Sequence, residues 1–291
     1  MKQKQILSNA LWGTAAAVAV MGITTTVATA TEPCGDLGEC KVVIELNTTD
    51  GDVGFHFLVD GDNLVKMEGI NPDGKKFFKA DAKKELREQF MTETFVESAE
   101  PVCRDELAEE EGDIVVTLEE FLERWSPGTY KFKGKADKGE KLEGETELTF
   151  ELPAAPKDIS FDGSVISWAA GDDLGECADY DELADLVSAG VLPEHPEDVT
   201  VAAWEVVFEP DVDDGDPVGQ LKFIIRVSGD SEDFSTLAVT VSKEYLDSLP
   251  DDTPAKIEVG AIGADDNASF TELVDLCVNV EDGCEEEDED E

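Results

Sequence analysis

Histidine is almost missing from this chain of 291 residues: His56 and His195 are the only two. No Cys-x-x-Cys pair occurs either. Both absences weigh against zinc centres built on cysteine and histidine spacing. Basic residues are scarce, with 22 Lys and Arg against 70 Asp and Glu and a formal net charge of −48. A surface so poor in positive charge repels nucleic acid and anionic lipid, because both are held through lysine and arginine. The few aromatics show no basic interleaving, which excludes base stacking along a single strand. Past the first thirty residues, no run is long and apolar enough to span a bilayer.

What is present begins with a leader. Lys2 and Lys4 open it, Ala10 to Val20 is almost wholly apolar, and Ala28-Thr29-Ala30 has the small-x-small form of a signal-peptidase site. The sequence therefore predicts a Sec-type signal peptide over residues 1–30, cleaved after Ala30, and a secreted or periplasmic mature protein without a membrane span. Residues 1–30 hold two lysines and no acid, so the remainder sets 70 acids against 20 bases. Such a surface repels itself, and salt or divalent cations relieve the repulsion.

Six cysteines follow the leader: Cys34, Cys40, Cys103, Cys177, Cys277 and Cys284. An even count in an exported chain reads as disulfides. Cys34 and Cys40 bracket a short loop, as do Cys277 and Cys284, and local closure of both leaves Cys103 to pair with Cys177. The rival pairing is Cys40 with Cys103, which leaves Cys34 to find another partner.

Leu152 to Trp168 is a seam. Pro153 and Pro156 interrupt any strand ladder, and a hairpin signal follows across Asp162-Gly163. The expected organisation is a β-rich N-terminal module over 31–152, a second over 153–277 and a disordered acidic tail over 278–291. In the first module, Lys41–Leu46, Phe55–Val59, Leu64–Met67, Lys76–Lys79 and Thr92–Glu97 read as strands, with Asp60-Gly61-Asp62-Asn63 as a hairpin turn. Tyr130–Lys133 and Leu142–Phe150 form a closing hairpin. Leu118, Phe121, Leu122 and Trp125 make an amphipathic helical stripe capped by Thr117. Ala82–Phe90 is a more charged helical segment. The predicted fold class is mainly β: two β-sandwich modules in tandem with a few short helical insertions.

Pro127-Gly128-Thr129-Tyr130, with the alternation after it, resembles the entry to the penultimate strand of bacterial immunoglobulin-like domains. In the second half, Pro156, Val165–Trp168, Trp204–Phe208, and Leu249-Pro250 leading into Lys256–Ile262 resemble a fibronectin type III module. That resemblance implies a tryptophan buried between two sheets, a Leu-Pro segment turning into the strand before last, and a closing strand at Ser269–Val274. It departs from the family at Ala255, where a tyrosine usually pins the corner. It also implies that the loop holding Cys177 lies at the pole where the chain enters from the first module, which favours the bond to Cys103. Asp181–Ala189, capped by Asp179 or Asp181 and stopped by Gly190, is a helical insertion in that loop. The whole chain resembles secreted bacterial proteins with a fibronectin-like C-terminal half. Such a resemblance implies spacing or binding and names no activity.

Candidate chemistry is sparse. Gly229-Asp230-Ser231 resembles the nucleophile motif of GDS-type lipases, but both histidines precede it and no Asp-x-x-His follows. Asp211, Asp213, Asp214 and Asp216 offer oxygen ligands of the type calcium takes, as do Asp50, Asp52, Asp60 and Asp62. Neither set has the closing glutamate of an EF-hand loop. The reading is an exported non-catalytic binding or structural protein of the cell envelope or extracellular space, with no cofactor other than calcium and with a protein or polysaccharide partner. The alternative is a secreted hydrolase or inhibitor whose site assembles only in three dimensions.

Overall fold

The computed structural model describes residues 34–108, 114–213, 215–229, 237–281 and 284. The leader with its cleavage site, Asp214, Asp230-Ser231 and the acidic run 285–291 lie outside the described residues. The described chain is mainly β, as its alternating apolar residues dictate.

The first module holds β1 (Glu39–Asn47), β2 (Asp52–Ile70), β3 (Lys76–Asp81), α1 (Lys84–Gln89), β4 (Met91–Glu97), α2 (Leu118–Arg124), β5 (Gly128–Ala136) and β6 (Lys141–Leu148). In β1, Val42, Ile44 and Leu46 are buried, while Lys41, Val43, Glu45 and Asn47 point to the other face and are half-buried. Asp60–Asn63 is not the hairpin turn that its residues suggest. It lies inside β2, a single strand of 19 residues. The first half of β2 pairs with β1 and β4, and the second half pairs with β3 and β5. Each half finds antiparallel partners elsewhere, so the turn-forming residues are absorbed as a bulge, with Asn63 at φ 55° and shifted register on both sides. The two halves meet in one core, where Phe57 faces Phe132 of β5 with ring centroids 5.7 Å apart.

Helix α2 starts as expected, with the Thr117 hydroxyl accepting from the Glu120 N–H. Leu118, Phe121 and Leu122 are buried beneath it. Trp125 stacks on Phe55 at 3.8 Å between centroids, so its ring serves packing. Helix α1 buries nothing, and Leu86 stays 50% exposed.

The second module holds β7 (Lys157–Phe161), β8 (Val165–Ala169), α3 (Tyr180–Ala189), β9 (Val201–Pro210), β10 (Phe223–Ser228), β11 (Leu237–Thr240), α4 (Lys243–Leu246), β12 (Thr253–Gly263) and β13 (Ala268–Val278). Strands β7, β8 and β11 form a sheet in the order β11-β8-β7, and the second layer runs β10-β9-β12-β13. This is a fibronectin type III-like sandwich, and its core carries the expected signature. Trp168 and Trp204 are buried with centroids 6.0 Å apart, and Leu249 is buried just ahead of β12. At the corner, Ala255 is buried and contributes no hydroxyl. Tyr245 of α4 supplies one from another place. Its O–H lies 2.8 Å from the Phe208 carbonyl and 3.1 Å from that of Leu221, and donates to one or the other.

Strands β1 and β13 pair in parallel, through Glu45, Leu46 and Asn47 against Ala268, Ser269 and Phe270. That contact joins the four-stranded layer of the second module to the first module as one ten-stranded sheet. Thr48 donates to the Phe270 carbonyl through both N–H and O–H, each at 2.8 Å. Buried Asn267 accepts from the Ile44 N–H at 2.8 Å, and its Nδ2 shares two hydrogens among Asp265 and the Thr149 and Glu151 carbonyls.

Candidate functional site

The insertion between β8 and β9 belongs to the core of the first module. Leu174, Cys177, Ala178, Leu183 and Leu192 are buried with the residues of β1, β2, β5 and α2. The local sequence explains the helix within it. Asp179 accepts from the Glu182 N–H while Glu182 accepts from the Asp179 N–H, a full capping box. Gly190, at φ 76°, ends the helix in the left-handed conformation that glycine tolerates. His195 packs against Tyr180 with ring centroids 4.2 Å apart and the planes tilted by 39°, and its Nδ1 accepts from the Glu197 N–H, so this histidine organises the insertion.

The cysteines pair as Cys34–Cys40, Cys103–Cys177 and Cys277–Cys284, with Cα atoms 5.6, 5.1 and 5.6 Å apart. The middle bond spans 74 residues and ties the insertion to the first module. Beside it, Arg104 Nε donates to the Glu176 carbonyl at 2.6 Å, and its guanidinium pairs with Glu182.

The shared sheet has a second face, turned away from both cores. There β9 contributes Glu205 and Glu209, β12 Lys256 and Glu258, β13 Glu272, β1 Glu45, β2 Asp52 and His56, and β4 Glu97. Lys256 sits among Glu272, Glu258 and Glu209 at 3.3, 3.2 and 3.8 Å. Burial pulls its pKa down, but Glu272 and Glu258 outweigh that and hold the ammonium above its ordinary range. Next to this ion network lies a cleft of about 350 Å³, walled by Glu45, Asp52, Glu97, Glu100, Glu205 and Glu258. Burial, then the nearby Glu100 and Glu97 carboxylates, push Glu45 up to about 7. Burial, then Glu100 and Asp50, push Asp52 up to about 6.

Behind the cleft wall formed by Glu45 and Glu100, these two side chains converge with buried His56, one ligand atom from each lying within 4.8 Å of the others. Three strand-like segments place them. Glu45 is directly opposite Gly54 in the β1–β2 register. His56 follows two residues later in β2 on the same face. On the other side of β2, Ser98 and Pro101 bond to Phe55 and Val53, which sets Glu100 beside Gly54. His56 Nδ1 is 3.9 Å from Glu45 and Nε2 is 3.6 Å from Glu100. The imidazole is only 6% exposed, and the edge of Phe95 stands against it.

Among the described residues, Asp52 alone of the sequence candidates for calcium lines this cleft. Asp60 and Asp62 line a separate polar cleft of about 750 Å³ beside the Cys34–Cys40 loop. Asp50 accepts from the Asn47 side chain. Asp216 caps a short 3₁₀ turn by accepting from the Val218 N–H, and its own N–H donates to the Asp213 carbonyl. Asp211 donates its N–H to the Pro254 carbonyl. Glu45, His56 and Glu100 gave no sequence signal, because carboxylates are everywhere in this chain and the three residues are far apart along it.

No family model and no curated relative matches the sequence. Solved structures with related strand layouts include a two-domain fibronectin type III segment of chicken tenascin, at 9% identity, 82% of this chain, 98% of that chain and a TM-score of 0.23. The tetra-tandem repeat from the extending region of a large adhesion protein matches at 10% identity, 82% and 49% of the two chains and a TM-score of 0.25. The BSP domain of a biofilm-associated protein matches at 10% identity, 82% and 29% coverage and a TM-score of 0.22. Similarities of this size carry no argument, and the reading of the second module rests on its own strand order and buried tryptophans.

Proposed function

We propose that this chain is an exported, non-catalytic structural or binding protein of the cell envelope or extracellular space, in which two β modules, 31–152 and 153–277, act as one stiff body. The observation that carries this reading is the coupling between the modules. They share a sheet through β1 and β13, the insertion of one is buried in the core of the other, and Cys103–Cys177 ties that insertion down. A flexible tether needs none of these features, whereas a spacer or a composite binding surface needs a fixed angle. Three disulfides suit an oxidising compartment, where such bonds persist. The strong negative charge suits a partner that is not nucleic acid, with a protein or a polysaccharide as the expected class.

Crosslinking the protein in place on the cells that make it, then identifying what it holds, tests this reading. Intact mass of the mature protein should begin at Thr31 and show no free thiol. Recovery of the chain from the cytoplasm with its cysteines reduced and its leader intact would overturn the proposal.

A further inference from the structure

We propose that Glu45, His56 and Glu100 form a binding site for a divalent first-row transition cation of the zinc type. Two observations carry this beyond a crowd of acids. First, His56 Nε2 is buried and has no hydrogen-bond partner among the described residues, although its residue is 94% removed from solvent at 6% exposure. A buried polar nitrogen without a partner is costly. It faces the Glu100 carboxylate at 3.6 Å, too far for a hydrogen bond. Second, the space before it is kept open by glycine. A Cβ built on Gly54 would stand 2.6 Å from His56 Nε2 and 3.1 Å from Glu100 Oε1. Any side chain at position 54 would therefore fill the point on which the ligand atoms converge.

The donor set selects the ion. Calcium and magnesium take oxygen ligands, whereas imidazole with carboxylates suits zinc and its neighbours. Around a tetrahedral zinc with bonds of about 2.0–2.2 Å, donor atoms sit about 3.3–3.6 Å apart. Here the three ligand atoms already lie within 4.8 Å of one another and His56 Nε2 is 3.6 Å from Glu100; Glu45 stands nearest Nδ1, at 3.9 Å, so its half-exposed carboxylate must swing toward the Nε2 side by about 1 Å to close on an ion. Asp52 and Glu97 line the neighbouring cleft but stand outside the group of three converging ligand atoms, which leaves the remaining positions on the ion to solvent. A bound ion would fasten β1, β2 and the segment before Cys103 to one another on the face opposite the core.

The test is isothermal titration of the full mature chain, with its disulfides intact, with zinc chloride, alongside thermal melting with and without the ion. One equivalent should bind and raise the melting temperature. His56→Gln and Glu100→Gln should each weaken that binding by at least about tenfold. Glu147→Gln, an exposed acid on β6 remote from the cleft, should leave it unchanged. Glu100→Gln changes a surface-accessible side chain, so it keeps the test sound if the His56 variant folds poorly. Gly54→Ala should abolish binding by filling the space. Binding to His56→Gln and Glu100→Gln as tight as to the parent would overturn the proposal. So would displacement of zinc by an equal concentration of calcium, which would indicate an oxygen-only surface site.

Discussion

Replacing Asn267 by alanine should remove about 3–5 kcal/mol of folding stability. Asn267 is 1% exposed and sits where β1, the end of the first module and the β12–β13 turn come together. Its Oδ1 accepts from the Ile44 N–H at 2.8 Å, just before parallel pairing with β13 takes over at Glu45. Alanine leaves that buried N–H without a partner, at a cost of about 1–3 kcal/mol. Its Nδ2 donates to the Asp265 carboxylate at 2.9 Å and lies 3.2 and 3.3 Å from the Thr149 and Glu151 carbonyls. The Thr149 hydroxyl lies 3.3 Å away as well, and two hydrogens serve these four acceptors, so about two bonds are lost, one of them to a charged group and worth about 1.5–3 kcal/mol. Asn267→Asp is the sharper variant. It keeps an acceptor for Ile44 but sets a carboxylate against Asp265 and two carbonyls. It should therefore be less stable than the alanine variant at pH 7, and recover as acid protonates it. Urea denaturation followed by far-UV circular dichroism measures both. A loss below about 0.5 kcal/mol for the alanine variant, the size of an ordinary surface change, would refute the reasoning. An aspartate variant milder than alanine at neutral pH would refute it as well.

Replacing Cys103 and Cys177 together by serine opens a loop of 74 residues and should cost about 4 kcal/mol in the chain-entropy model, read from the shift in denaturation midpoint; an unchanged midpoint would show that the insertion is held by packing alone. Burial, reinforced by Glu151 and Asp266, raises the Asp265 pKa from 3.8 to about 6. The folded chain then holds a proton that the unfolded chain has released, so this contribution is full below about pH 4 and is lost as pH rises through about 6. Asp265→Asn should flatten the fall in melting temperature between pH 4.5 and 7.5, and a slope equal to that of the parent protein would exclude the assignment. Trp125→Ala removes a ring stacked on Phe55 and should cost about 2–3 kcal/mol; an unmoved melting curve would show that the stack contributes nothing to stability.

Local signals in the sequence determined most of the elements. Alternation marked β5 and β6, because a strand with one dry face needs every second residue apolar, a short β-rich run marked β1, and the resemblance to a fibronectin type III module marked β9 and β12. Thr117, Asp179 and Gly190 marked helix ends, because capping is a contact between residues a few positions apart. Short cysteine loops marked two disulfides and left the third pair by elimination. Strand β11 and helix α4 are four residues each, too short to show a period. Residues Asp60–Asn63 have the composition of a hairpin turn, and only the partners of β2 decided that the strand runs through them. The same holds for the parallel pairing of β1 with β13, and for the burial of the Leu174–Leu192 insertion in the core of the other module. Composition states which face of a strand is apolar, but the edge it joins depends on chain closure and on the apolar surface available far along the sequence. Glu45, His56 and Glu100 show this most plainly. Each is unremarked in its own segment, and they meet because β2 lies between β1 and residues 98–101, with Gly54 leaving room at the centre.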